Sequence, residues 1–327
     1  MTESPSKPSA QTQDAPLERP WERDLLTQLA FASLKEQRRA RRWNLFFKVS
    51  VLVYLSILLI LYWPSDLSAP GTGKPHTALV DVRGLIAEDA ESNADRIISG
   101  LRDAFEHEDT AGVVLRINSP GGSPVQAAYI NEEIRYLRAR YPDTPLYAVI
   151  TDVCASGGYY VAVAADKIYA ESSSIVGSIG VLINSFGFVG TMEKLGIERR
   201  LFTAGQYKGL LDPFSPIKEE EVQHLQGLLK DLHQHFIATV KQGRGERLNG
   251  GSELFSGLIW SGEKSIELGL VDAEGDIYEV ARDVIGAEEI VDFTPKRSYI
   301  DRLAERVGVA IANALHDQMG VADVSLR

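Results

Sequence analysis

The sequence holds a single cysteine, Cys154, so no disulfide can close within the chain. It has no surplus of positive charge. The formal net charge is −11 over 327 residues, which argues against a general nucleic-acid binder. There is no GxxxxGK(S/T) loop and no HExxH, which removes two common routes to an energy-dependent or zinc-dependent enzyme. Nothing in the chain asks for a metal or another cofactor. No histidine stands in a glycine-rich loop: His76, His107, His224, His233, His235 and His316 all lie elsewhere. His233 and His235 are two apart on a helical pattern, where side chains do not share a face, so they read as solvated helix positions. The lone Cys154 reads as a small buried hydrophobe.

What is present begins with an uneven N-terminus. Residues 1–20 are rich in Ser, Pro, Gln and Thr and read as a disordered tail. Residues 21–42 turn helical and end in the basic run Lys35-Glu36-Gln37-Arg38-Arg39-Ala40-Arg41-Arg42. Leu45 to Trp63 follows with Lys48 as its only charge, close to the roughly 20 residues that cross a bilayer. Trp43, Tyr62 and Trp63 sit at its edges, where aromatic belts form. The arginines precede the span, so the positive-inside rule places residues 1–42 in the cytoplasm and the rest beyond the membrane. The division expected is therefore 1–42 a disordered and basic segment, 43–63 a transmembrane helix, 64–76 a linker, 77–295 the main domain, and 296–327 a helix and tail.

From Thr77 the pattern is α/β. Strands are expected at 78–82, 112–117, 145–150, 167–170, 180–183, 197–203 and 289–293. Helices are expected at 94–105, 124–140, 189–195, 218–242, 263–268, 276–285 and 299–315. Ser215 and Pro216 read as the cap and first turn of the long helix at 218–242. Repeating strand–helix units joined by crossovers imply largely parallel sheets covered by helices.

Three stretches carry chemistry. Cys154-Ala155-Ser156-Gly157-Gly158-Tyr159-Tyr160 places a serine between a strand and a helix, with glycines that open room around it. It reads either as a nucleophile or as a tight packing turn. Asn118-Ser119-Pro120-Gly121-Gly122 ends a strand, and two glycines there can aim backbone N–H groups at one spot; a plain strand-to-helix turn explains them equally. Thr203 to Phe214 carries Lys208 among apolar and aromatic neighbours. A lysine works as a base only when removal from water disfavours its ammonium form, and a serine–lysine dyad then replaces serine–histidine. Standing alone, Lys208 reads as a surface lysine, with Lys167 and Lys194 as competitors. Gly177-Ser178-Ile179-Gly180-Val181 adds a hydroxyl, Ser178, that could hold a lysine amine.

In this order and combination, these motifs with Tyr207-Lys208 ahead of Asp212-Pro213-Phe214 resemble the signal peptide peptidase A (SppA) family, in its short single-unit form. The resemblance implies a ClpP/crotonase-like fold of stacked ββα units and a homo-oligomeric bowl with its active sites inside. It implies a serine peptidase of the bacterial inner membrane, with its catalytic domain periplasmic, that degrades apolar signal-peptide remnants. By position it makes Ser156 the nucleophile, Lys208 the general base, Ser178 the lysine's partner, and Gly122 and Gly157 the oxyanion donors. Gly209, after the lysine, departs slightly from the small polar residue that would be unsurprising there.

Three other readings remain open from the sequence. One is an anchored protease of the same superfamily with a different client. Another is a crotonase-type acyl-CoA enzyme, which would use the glycine turn without a serine nucleophile. The third is a non-catalytic membrane scaffold that keeps the fold.

Overall fold

The computed structural model describes residues 20–61 and 73–295. The expected tail, the end of the span and most of the linker, and the helix at 299–315, lie outside the described residues. The chain divides into two compact units, one holding the N-terminal helix and the other residues 68–297.

The N-terminal unit is a single helix, α1 (Pro20–Leu61). Within it, Glu36–Leu59 is long and apolar enough to cross a membrane, with a mean hydropathy of 1.4. At 1.5 Å per residue its 24 residues extend about 36 Å, against a hydrocarbon core of about 30 Å. Trp43, Phe46 and Phe47 cluster near its start, with ring centroids 5.8 to 6.0 Å apart.

The second unit is built from β1 (His76–Ile86), α2 (Ala94–Glu106), β2 (Thr110–Gly122), α3 (Pro124–Arg140), β3 (Leu146–Ala155), α4 (Gly157–Ala162), β4 (Lys167–Ala170) and β5 (Ile175–Gly177). There follow α5 (Val189–Leu195), α6 (Glu219–Arg244), β6 (Ile259–Ser261), α7 (Gly262–Glu267), β7 (Ala273–Glu274), α8 (Ile277–Glu279) and β8 (Ile290–Asp292). One sheet runs β6-β5-β3-β2-β1-β8, with β4 beside β3 and β7 beside β4. All pairs are parallel except β5 with β6.

The alternation of strand residues explains why the central strands are apolar on both sides. Ala78, Val80 and Val82, Val113, Leu115 and Ile117, and Leu146, Ala148 and Ile150 share the main core with α2, α3 and α4. Leu79, Val114 and Val149 point the other way, against Tyr169, Ile277 and Val280. The sheet forks at β3. Residues 147–150 pair with β4, whereas 153–155 pair with β5. The fork leaves the end of β3 between β2 and β5, which positions the site.

Several boundaries differ from expectation. β2 does not stop at 117 but pairs with β1 through Gly122. Residues 180–183 are not a strand; the strand lies earlier, at β5, and ends where Gly177 (φ 115°) and Ser178 (φ 52°) turn left-handed. Residues 197–203 form no strand either. They are exposed and join no strand ladder among the described residues, and Leu201 and Phe202 among them are exposed apolar side chains. α6 starts at Glu219, and Lys218 with Glu221, not Ser215, forms its cap region. The helix expected at 276–285 is one α-turn, α8, that widens into a π-helical stretch, Val280–Ile285.

One ion pair ties α6 to the sheet. The Arg244 side chain is 1% exposed and donates to Asp272 at 2.7 and 3.1 Å, while its Nε donates to the Gly269 carbonyl at 2.9 Å. Asp272 also accepts from the Ile168 N–H of β4 at 2.7 Å. Burial pushes the Asp272 carboxyl up. The hydrogen bonds from Arg244 and Ile168 and the charges of Arg244 and Arg247 outweigh it, so the group sits below the usual carboxylate range. Its stabilisation is therefore present above the unfolded carboxylate pKa and is lost as pH falls through the lowered folded value. Asp272→Asn should cost about 3–5 kcal/mol, because it leaves the buried Arg244 without its counter-charge. Chemical denaturation across a pH series should show the wild-type acid limb flattened in the variant; an unchanged midpoint at neutral pH would contradict the assignment.

Candidate active site

Ser156 stands where β3 ends and α4 begins, with φ 51° and ψ −120°. Among the described residues only Ser156, Ser178 and Leu211 have positive φ without being glycine. Such a conformation costs roughly 1–3 kcal/mol and persists only where the surroundings over-determine it. Here they do. The Ser156 N–H donates to the Gly177 carbonyl at 2.9 Å, and its own carbonyl accepts the Tyr160 N–H at 2.9 Å. The Asn131 side chain on α3 donates to the Tyr160 carbonyl at 2.7 Å. The fully buried Tyr159 donates its hydroxyl to the Leu270 carbonyl at 2.8 Å. Cys154, buried on β3 two residues upstream, has its thiol pushed up by desolvation, which fits an inert packing residue and not a thiolate nucleophile.

The glycine turn meets the serine directly. A Cβ on Gly121 would lie 2.7 Å from both the Gly157 nitrogen and the Ser156 Cβ, and one on Gly157 would lie 3.1 Å from the Gly122 nitrogen. Only glycine permits this approach, and it sets the Gly122 and Gly157 amides side by side. Ser119 secures the turn: it is wholly buried, donates to the Gly84 carbonyl at 2.6 Å and accepts the Gly121 N–H at 3.1 Å. Its role is tertiary, and the sequence gives no sign of it. Two backbone donors beside a serine hydroxyl are the arrangement that stabilises an oxyanion.

Ser156, Gly122 and Gly157 share the rim of a cavity of about 180 Å³ whose walls include Val125, Ala128, Tyr160, Val181, Leu232 and Phe236. That volume is below the 300–1,000 Å³ of whole-ligand pockets but above a 150 Å³ cavity known to hold benzene. It suits one apolar side chain. His235 also lines it, and His233 contacts the Ile179 carbonyl at 3.1 Å beside Ser178. Both histidines thus abut the site from α6, each separately. Spacing on one helix does not reveal what a second element brings against it. The Tyr160 ring lies 5.1 Å from Phe236, and its hydroxyl accepts from Thr239 at 3.0 Å, which fixes that wall.

Ser178 is half-buried next to β5, and its N–H donates to the Leu258 carbonyl at 2.7 Å. Lys208 is elsewhere. It is exposed, on a segment between Val181 and α6, and is absent from the lining of the Ser156 cavity. This segment is ordered by its own contacts. Asp212 accepts from Ser215 at 2.6 Å and pairs with Arg199 at 3.3 Å; the Ser215 hydrogen bond leads in holding its carboxyl below the usual range. Phe188 stacks on Phe214 at 5.6 Å, and the Phe188 N–H donates to the Pro213 carbonyl at 2.7 Å. Asp212-Pro213-Phe214 is therefore the hub of this arm. Lys167 begins β4 and Lys194 lies in the last turn of α5; both are exposed and neither lines the cavity.

If the backbone at 156 is strained by its surroundings, Ser156→Gly should raise stability by about 1 kcal/mol, by relief of the positive φ. Gly121→Ala should lower it, because the new methyl meets backbone on both sides. Thermal unfolding of the two variants gives the comparison, and a destabilised Ser156→Gly protein would contradict a strained turn.

The profile of peptidase family S49 matches residues 138–289, a segment that carries Ser156, Gly157, Ser178 and Lys208 and leaves Gly122 outside. A Brucella melitensis protein named Na(+)/H(+) antiporter NhaA is 41% identical over 210 residues, 64% of this chain and 28% of that protein. The chain thus spans little more than a quarter of that relative's length, and the same holds for its Brucella abortus counterpart. An Enterococcus faecium protein named as a candidate signal peptide peptidase SppA is 32% identical over 213 residues, 63% of this chain and 61% of that one. A Synechocystis sp. protein named as a candidate protease is 30% identical over 215 residues, 66% of this chain and 74% of that one. With the glycine-framed serine at its centre and a relative of matching extent, the chain belongs to peptidase family S49, the family of the SppA-type proteases.

Proposed function

We propose that this protein is a membrane-anchored serine endopeptidase that works through Ser156 and Lys208, with the base supplied by a second copy of the chain. The strained Ser156 beside the Gly122 and Gly157 amides, at the mouth of an apolar cavity, carries the reading. Ser156 Oγ attacks a peptide carbonyl carbon while its proton passes to the neutral Nζ of Lys208. The oxyanion rests on the Gly122 and Gly157 N–H groups. The lysine then gives its proton to the leaving amine nitrogen. Water attacks the acyl-enzyme by the same route and frees Ser156. Ser178 holds the lysine amine in reach.

The exposure of the arm supports a shared site. Phe202 is 91% exposed, Leu182 81% and Phe186 72%, and α5 buries no residue. A segment with so many exposed large apolar side chains marks an interface. Lys208 sits within it, and a neighbouring copy that covers the arm would remove the amine from water at the same moment that it brings the amine to a serine. In domain terms, we assign 43–63 as the anchor, 1–42 to the cytoplasm, 64–76 as a linker, 77–295 as the catalytic domain beyond the membrane, and 296–327 as a packing helix and tail. A tethered protease with a one-side-chain apolar pocket fits signal-peptide remnants, which are apolar and start in the bilayer.

The test is peptide hydrolysis by Ser156→Ala and Lys208→Ala proteins, alone and mixed. Each alone should lose at least about 10³-fold in kcat/KM. Subunits exchanged between the two should recover a fraction of wild-type turnover, since some sites then hold an intact serine and an intact lysine. Full activity in either single variant would end the proposal, and inactivity of the exchanged mixture would place the lysine in the same chain as its serine.

A further inference from the structure

A second cavity, of about 440 Å³, lies where the C-terminal ends of α3, α4 and α6 meet. Arg135, Arg138 and Arg247 line it with Ala164, Gln242 and Gly243. Its floor exists because α6 crosses the end of α4 at backbone contact: a Cβ on Gly243 would lie 2.1 Å from the Val163 carbonyl oxygen.

The carbonyl and carboxylate oxygens around this cavity are largely engaged. Arg138 donates to the Ala164 carbonyl and to Asp166, and Arg247 donates to the Gly243 carbonyl and, at 3.1 Å, to the Asp166 carbonyl. Asp166 also accepts the Leu146 N–H at 2.9 Å. Donors are left over. The Arg138 Nε is buried without a partner. Arg135, half-buried one turn earlier on the same helix face, makes no hydrogen bond or ion pair among the described residues. A buried donor without an acceptor costs about 1–3 kcal/mol, more when it is charged. The lining points the same way: it holds three arginines, Arg135, Arg138 and Arg247, and no carboxylate, in a chain whose net charge is −11.

We propose that this cavity binds a phosphate-type oxyanion. Arg135 and Arg138 reach the cavity from α3, and Arg247 reaches it from the 3-10 turn Gly245–Arg247 that follows α6, where its bonds to the Arg244 carbonyl at 3.0 Å and Asp272 at 3.2 Å hold its guanidinium in place. A tetrahedral oxyanion presents acceptors in both directions, whereas one carboxylate matches a single fork. The volume falls within the range of small-molecule sites, so it admits a phosphate that carries a substituent. Free phosphate and the phosphodiester of a lipid headgroup share this chemistry. The site is distinct from the Ser156 cavity and does not depend on the peptidase reading.

Isothermal titration of the full-length protein in detergent with inorganic phosphate, at constant ionic strength, tests the proposal. Saturable binding is expected. Arg135→Gln should weaken it on the order of tenfold or more, the effect of one charge-assisted hydrogen bond. Gln242→Glu, which puts a carboxylate at the rim, should weaken it similarly. Both positions are outside the core, so each variant should keep the wild-type unfolding midpoint without phosphate. Competition by glycerophosphoglycerol would assign a lipid headgroup, and phosphate binding without such competition would assign the free ion. No saturable heat, or equal affinity in wild type and both variants, would overturn the site.

Discussion

The hydrogen bond from the Ser156 N–H to the Gly177 carbonyl is the contact on which the site's geometry rests. It closes the fork of the sheet at the point where β3 has left β4 and paired with β5. The chain has to reverse there to feed α4, and it can do so only through a left-handed residue. Serine is a poor choice for that conformation, and glycine would be easier. The surrounding bonds, from Asn131 on α3 and Tyr159 to Leu270, hold the turn in place. The same reversal projects the side chain at 156 toward the glycine turn of β2. Fold and site are therefore not separable: the strain arises because the serine stands where the sheet divides.

Much of this was legible in the sequence, for a definable reason. The buried strands alternate between two cores, and the helices that cover them show apolar residues at helical spacing. Both periods follow from backbone geometry and are visible in a single chain. The turns at Ser156 and at Gly121-Gly122 were legible because clustered glycines limit what the backbone can be doing, whereas the roles of Ser156, Gly122 and Gly157 were read only from the family resemblance. The failures have a common cause as well. Residues 180–183 and 197–203 read as strands because they are apolar, and hydropathy records that a side chain avoids water without recording what covers it. In a single chain these residues are covered by little. Ser119, Arg244 and the contact of His233 with Ile179 were missed for the complementary reason, that a polar residue gains its meaning from an element far away in sequence, whereas His235 is exposed as expected although it also lines the cavity.

The two apolar surfaces of this unit differ in kind. The cavity beside Ser156 is concave, small and walled by residues that are fixed by hydrogen bonds, such as Tyr160. The arm from Val181 to α6 exposes large apolar side chains, yet it has its own internal order through Asp212, Arg199 and the Phe188–Phe214 stack. A disordered loop would have to be organised upon association, at an entropic cost. A pre-shaped arm avoids much of that cost, which is what a docking element needs.

If the arm of one copy delivers Lys208 to the serine of another, the isolated chain is latent. Its activity then depends on protomer concentration in the way that the stability of an obligate assembly does. If the apolar stretch of α1 also anchors the chain in a membrane, the anchor bears directly on that dependence. It confines chains to two dimensions and raises their effective concentration, so association becomes favourable at copy numbers that would leave a soluble form dispersed. The apolar helix and the exposed arm are then two halves of one device, because the first supplies the crowding that the second requires. The same confinement would draw apolar peptides released into the bilayer toward the assembled sites, while a chain that had not yet met its neighbours would carry a serine without a base.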